Sequence, residues 1–193
     1  AAVARMFSAT PLTGAQATKA AVMSRAGDAR ILHMATHGIL NAKEGQLSAL
    51  ALAPDRSDSG LLSGVEVQAM ALPAELAVLS ACDTGEGNIT GDGVLGLGRS
   101  FMEAGVPTLV VSLWSIPDSP TAQLMAEFYK NLRLGASKAK ALRTAMLITM
   151  KQFPEPKAWA AFTILGVPDA SPQLRAVHGN ANVRVVEGYA PIF

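Results

Sequence analysis

Apolar residues along the chain fall into short continuous runs separated by stretches with helical spacing. Arg30 to Thr36, Leu76 to Ala81 and Thr108 to Trp114 are strand-sized and almost wholly apolar, the pattern of strands buried on both faces. Leu47 to Leu52 is a further strand candidate, and Trp159 to Leu165 reads as a last strand closed by Gly166. Between these runs the period lengthens. Val94, Leu97, Phe101 and Met102 predict a helix over Gly93 to Glu103, stopped by Gly105 and Pro107. Helices are also predicted from about Pro120 to Leu134 and from Ser137 to Met150, parted by Gly135, and Ser63 is placed to cap a short helix from Gly64 to Met70. The first thirty residues read as helical, interrupted at Thr10-Pro11 and Gly14, with a second helix over Thr13 to Ser24. Strands alternating with amphipathic helices predict an α/β fold: a mostly parallel central sheet covered by helices on both faces, a three-layer sandwich. The rhythm breaks at Ala170. Residues 1–169 are expected to form one domain and 170–193 a tail of unassigned role, holding one strand-like run, Val183 to Val186.

Composition narrows the function. Half of the 193 residues are apolar and 16% are charged, enough apolar surface for a core and too little charge for a disordered chain. The net charge is +1 and no Lys/Arg run appears, so nucleic-acid binding has no electrostatic support. No stretch approaches the ~20 apolar residues that span a bilayer, so no membrane is expected as a partner. Cys82 is the single cysteine; no disulfide forms within the chain, which fits a reducing, cytoplasmic location. The chain opens on Ala1 rather than Met and reads as a fragment of a longer protein.

In open α/β sheets the working residues gather beyond the carboxyl ends of the strands. His37 follows one predicted strand, with a tight turn expected at Gly38; Cys82 ends another; Asp118 lies past a third. A thiol with a pKa near 8.5 is mostly protonated at neutral pH, and an imidazole nearby accepts its proton or delivers it to a leaving amine. Acyl transfer also needs donors for the oxyanion, and the N–H groups of Gly38 and Cys82 are candidates. His33 is four residues before His37, but no HExxH and no second cysteine accompany it. It reads as a core histidine with a satisfied ring, and no metal is expected. Gly91 to Gly96 formally matches GxGxxG. It stands too far after its strand, and lacks the later acid, for dinucleotide binding; an active-site loop and close helix packing are the expected uses, and no cofactor is expected. No GxSxG is present.

HMATHG (His33 to Gly38) followed by LSACDTGEG (Leu79 to Gly87), GLGRSFMEAGVPTLVVSLWSIPD (Gly96 to Asp118) and WAAFTILG (Trp159 to Gly166) resembles the CHAT domain family, caspase-like domains often attached to tetratricopeptide repeats. The resemblance covers roughly Ala15 to Gly166 and implies a caspase-like three-layer fold. It also implies a cysteine endopeptidase that cleaves a protein substrate through a histidine–cysteine dyad and a thioester. His37 and Cys82 fall on the two dyad positions. Histidine comes first and cysteine about 45 positions later, near the spacing of roughly 50 in caspases. Family members usually carry a further strand and helix upstream, a portion absent here. The resemblance also implies a regulatory region outside this segment, of tetratricopeptide repeats or another kind.

Specificity has two readings at each residue. Asp118 is either an acid of the pocket, selecting a basic residue before the cut, or a cap on the following helix. Asp83 either joins that pocket or holds its own loop. Trp114 either walls the subsite or belongs to the core. The alternative to the enzyme is a catalytically silent caspase-like adaptor in a signalling or defence assembly; retention of both His37 and Cys82 favours the enzyme.

Overall fold

The computed structural model describes residues 2–41, 43–80, 82–83, 91–169 and 182–188. Its centre is a six-stranded sheet built from β1 (Leu12–Thr13), β2 (Ile31–Ala35), β6 (Leu76–Leu79), β8 (Thr108–Ser112), β9 (Phe162–Gly166) and β10 (Val183–Glu187). The order is β1-β10-β2-β6-β8-β9, parallel throughout except for β9, which runs antiparallel to β8. The apolar runs are continuous because both faces are covered. Leu32, Met34, Ala77, Leu79, Leu109 and Val111 enter one core; their neighbours Ile31, Leu76, Val78 and Val110 enter the other.

Helices α2 (Lys19–Ala26), α3 (Gly64–Gln68) and α4 (Gly91–Glu103) pack on the first face through Val22, Val67, Leu97 and Phe101. Helices α1 (Ala2–Met6), α5 (Asp118–Arg133) and α6 (Lys138–Gln152) pack on the second through Val3, Leu124, Phe128, Leu132 and Ala145. The expected three layers with a mostly parallel sheet are what the chain forms. Helix α4 ends where the sequence stops it: Gly105 adopts φ +112°, and a Cβ there would sit 2.9 Å from the Leu72 carbonyl oxygen.

Four local expectations change. The amino-terminal third is less helical than its alanine content implies. Leu12–Thr13 is a strand, Gly14–Gln16 is one 3-10 turn, and α2 begins only after Thr18, whose hydroxyl accepts the Ala21 N–H. The last strand starts at Phe162, because Pro156–Trp159 forms a short helix, α7, with proline at its first position. The glycine-rich stretch Gly91 to Gly96, expected in the helix only from Gly93, lies wholly within α4 and forms no loop. Its packing role holds: a Cβ at Gly93 would meet the Leu40 Cβ at 2.9 Å, and farther along α4 one at Gly98 would meet the Leu165 Cδ1 at 3.0 Å. Finally, Val183–Glu187, inside the stretch set apart as a tail, is an interior strand paired on both sides. Its valines reveal it only once β2 is available as a parallel partner.

A second, four-stranded sheet stands beyond the carboxyl ends of β2 and β6. It comprises β3 (His37–Ile39), β4 (Ala49–Ala51), β5 (Leu61–Ser63) and β7 (Cys82–Asp83), in the order β5-β4-β3-β7. Ser63 ends β5 and caps α3 as expected, in a reciprocal box with Glu66. Lys19, together with the hydroxyl and backbone N–H of Ser63, holds the Glu66 carboxyl down to a pKa of about 2. A carboxylate held below its ordinary value stabilises the fold above that value and ceases to do so as pH falls through the folded one. Glu66→Gln is therefore expected to cost up to about 1 kcal/mol at pH 7. The difference from the parent should close between the ordinary value of 4.5 and about 2, as read by urea unfolding at stepped pH. A difference independent of pH would show that Lys19 contributes nothing through charge.

Candidate active site

Each of β2 and β6 leaves the main sheet and continues into the small one without losing its partner. In the main sheet Met34 lies opposite Leu79; in the small sheet His37 lies opposite Cys82 and Gly38 opposite Asp83. The offset between paired positions is the same in both ladders. The register fixed by the buried faces of β2 and β6 therefore sets His37 beside Cys82, across a strand spacing of about 4.8 Å. The Ser80 N–H donates to the Met34 carbonyl at 2.9 Å and carries the ladder toward the break. Thr36, buried at the bend, donates its hydroxyl to the Ala51 carbonyl and ties β3 to β4.

His37 and Cys82 were expected at the strand ends; both lie within short strands instead, and Gly38 is extended rather than turned. The side chains of Cys82 and Asp83 lie outside the described residues.

The direction of the Gly38 amide follows from alternation. Leu52 N–H donates to Gly60 O and Gly64 N–H to Ser48 O, each at 2.8 Å, both between β4 and β5. Backbone groups along β4 alternate sides, so Ala49 and Ala51 face β3. Their partners Ile39 and His37 face them in return, which turns the buried Gly38 amide toward β7, the strand of Cys82.

Half-buried His37 lines a cleft of about 710 Å³. The cleft runs between the carboxyl ends of β2 and β10 and the first turns of α5, with His33, Ser80, Asp118, Thr121 and Glu187 on its walls. Asp118 is exposed and sits in the first turn of α5. Pro117 holds the cap position and no side-chain cap bond forms, so Asp118 is an acid of the first turn rather than the cap. Trp114 is placed elsewhere: it packs on the α5–α6 core, its Nε1 donates to the Lys157 carbonyl at 3.1 Å, and it is not among the residues lining the cleft.

His33 is 4% exposed, and its Nδ1 lies 3.0 Å from the Tyr129 hydroxyl, the satisfied ring expected of it. Burial lowers its pKa to about 4 and raises that of Tyr129, so the pair is neutral across the physiological range. Sequence reasoning missed that this ring also reaches the cleft, and missed Glu187 altogether. The signal for both was the parity of the strands: Ile31 and His33 alternate with Leu32 and Met34, and Val183, Val185 and Glu187 share one face of β10. No cluster of His, Cys, Asp and Glu suited to a metal ion occurs among the described residues, and none of their helices is long and apolar enough to cross a membrane.

The CHAT domain family matches residues 1–167. Tetratricopeptide repeat protein 28 of Homo sapiens is 30% identical over 204 residues, a match covering 85% of this chain and 8% of the relative. Tetratricopeptide repeat protein 28 of Mus musculus is 29% identical over 204 residues, with the same coverage. The chain thus spans about 8% of the length of these relatives.

Proposed function

This chain belongs to the CHAT domain family, a caspase-like family, and we propose that it is a cysteine endopeptidase using Cys82 as nucleophile and His37 as its acid–base partner. The observation that carries this reading is the register that pairs Cys82 with His37, a residue that lines a cleft of about 710 Å³. In the reaction, the Cys82 sulfur attacks the scissile carbonyl and its proton passes to His37. The tetrahedral oxyanion is held by the backbone N–H groups of Gly38 and Cys82. His37 protonates the departing amine, leaving a thioester, and then takes a proton from the water that hydrolyses it. The turn of the Gly38 amide toward β7 supports its part.

Asp118 is the acid that favours a basic residue before the cut; Asp83 is its second candidate neighbour, and Trp114 acts only by supporting the loop that leads to α5. The protein works in the reducing cytoplasm, where Cys82 remains a thiol. By analogy with the repeat proteins it is similar to, a tetratricopeptide-repeat or other regulatory region controls it.

The names of those relatives describe repeat proteins rather than peptidases, which favours the second reading, a silent caspase-like adaptor. A positional-scanning peptide library against the intact protein, paired with a peptidyl acyloxymethyl ketone that alkylates active thiols, separates the two. Cleavage together with an adduct at Cys82 that vanishes in His37→Ala supports the peptidase. Absence of both, with the fold intact, supports the adaptor.

A further inference from the structure

We propose that Lys19, at the edge of the small sheet opposite Cys82, is a positioning residue that holds His37 in register with its partner. The proposal rests on the dyad of the peptidase reading, and its test begins without turnover.

Paired positions in the small sheet form rows across its strands. One row runs Cys82, His37, Ala51, Leu61, from β7 through β3 and β4 to β5. β5 is an edge of this sheet. Ala51 turns its backbone groups toward β3, so Leu61 opposite turns its own away from β4, off the free edge. A carbonyl on such an edge has no strand to pair with. Lys19 takes that place: its Nζ donates to the Leu61 carbonyl at 3.1 Å. The same ammonium donates to Glu66 Oε1 at 2.8 Å and pairs with Asp58 Oδ2 at 2.8 Å. It therefore grips the strand, the loop before it and the helix after it.

Lys19 belongs to another part of the molecule. It opens α2, which packs on the main sheet through Val22. The macrodipole disfavours a cation in the first turn of a helix, so α2 gains nothing from this lysine by that route. Backbone contacts flank the grip. Thr18 bridges to Ala53, whose N–H donates to the Ala17 carbonyl at 2.9 Å. The row that carries His37 is thus fastened at its outer end to α2. At its inner end it is fastened by the continuation of β2 and β6 into β3 and β7. His37 sits between the two anchors, in a strand of three residues. With the outer anchor removed, β5 and β4 are free to shift and β3 moves with them. A displacement of ~1 Å in a reacting group costs up to about 10²-fold in rate.

The first arm of the test reads geometry, in intact protein carrying Cys82→Ala. Lys19→Met should shift the His37 imidazole and Ala51 amide resonances, and Lys19→Arg should restore part of the change. Arg30→Met breaks the Arg30–Glu75 pair at the other end of the main sheet; it controls for lost stability and should leave those resonances in place. The second arm reads chemistry, as the rate at which iodoacetamide alkylates Cys82. His37 should speed this alkylation, and Lys19→Met should cut the gain about tenfold. In a His37→Ala background Lys19→Met should change nothing, a result that a general loosening of the fold would not give. Unmoved His37 resonances in Lys19→Met, or an equal loss of alkylation with and without His37, overturn the proposal. The two readings fail separately. His37 resonances that obey Lys19 in a protein that cleaves no peptide uphold the positioning role and sink the peptidase. Peptide cleavage with kcat and KM unchanged in Lys19→Met does the reverse.

Discussion

His37→Ala should lower kcat/KM for the preferred peptide by about 10²–10⁴-fold, with the thermal midpoint little changed. The range is set by proton transfer alone. Without the imidazole, Cys82 still reacts through its small thiolate fraction, and the backbone donors of the oxyanion hole remain. Cys82→Ala removes the nucleophile itself and should leave no measurable thioester chemistry. The stability expectation is specific to the geometry. His37 is half-buried in a three-residue strand whose ladder bonds are backbone bonds, and the neighbouring Thr36 hydroxyl and buried Gly38 do the local anchoring. An alanine there keeps β3 in place. The two effects are measured on one preparation, by steady-state kinetics and by circular dichroism melting. A loss of activity that tracks a loss of folded protein would make His37 structural. Full activity in a folded His37→Ala protein would remove it from the chemistry, and the pairing with Cys82 would lose its meaning.

The parts of this molecule legible in the sequence are those where one local pattern decides. Ile31–Ala35, Leu76–Leu79 and Thr108–Ser112 are continuous apolar runs, and burial on both faces is the only environment that suits them. Ser63 with Glu66 announces a helix start, and Gly105 announces a stop. Of the small sheet only β4 was legible, within the run Leu47 to Leu52; β3, β5 and β7 are two or three residues long and exist through their partners. Even so, the sequence brought His37 and Cys82 to one edge of the fold, since both follow strands that pair directly. What it withheld was the fixed register that makes them neighbours. The cleft was half legible. Asp118 follows a recognisable strand, whereas Glu187 depends on β10 finding its place between β1 and β2, a contact separated by most of the chain.

That placement makes the largest stability prediction. A chain ending at residue 169, just past the family match, should fail to fold cooperatively. Val183, Val185 and Val186 are 1%, 1% and 2% exposed. Burying each is worth roughly 1.5–3 kcal/mol, so their loss alone reaches the lower part of the ~5–15 kcal/mol that holds an ordinary domain together. The loss does not stop there. β10 supplies the ladder partner of both β1 and β2, so its removal leaves two backbone edges unpaired in the interior of the sheet. Ile31 and Tyr129 also lose neighbours on the α5 side, in the core that holds the His33–Tyr129 pair. The truncated chain should show a broad, non-cooperative melt, and supplying residues 182–193 as a peptide should restore part of the cooperativity. A truncated chain that melts as sharply as the parent would mean that β10 merely lies along the sheet and contributes nothing to its cooperativity.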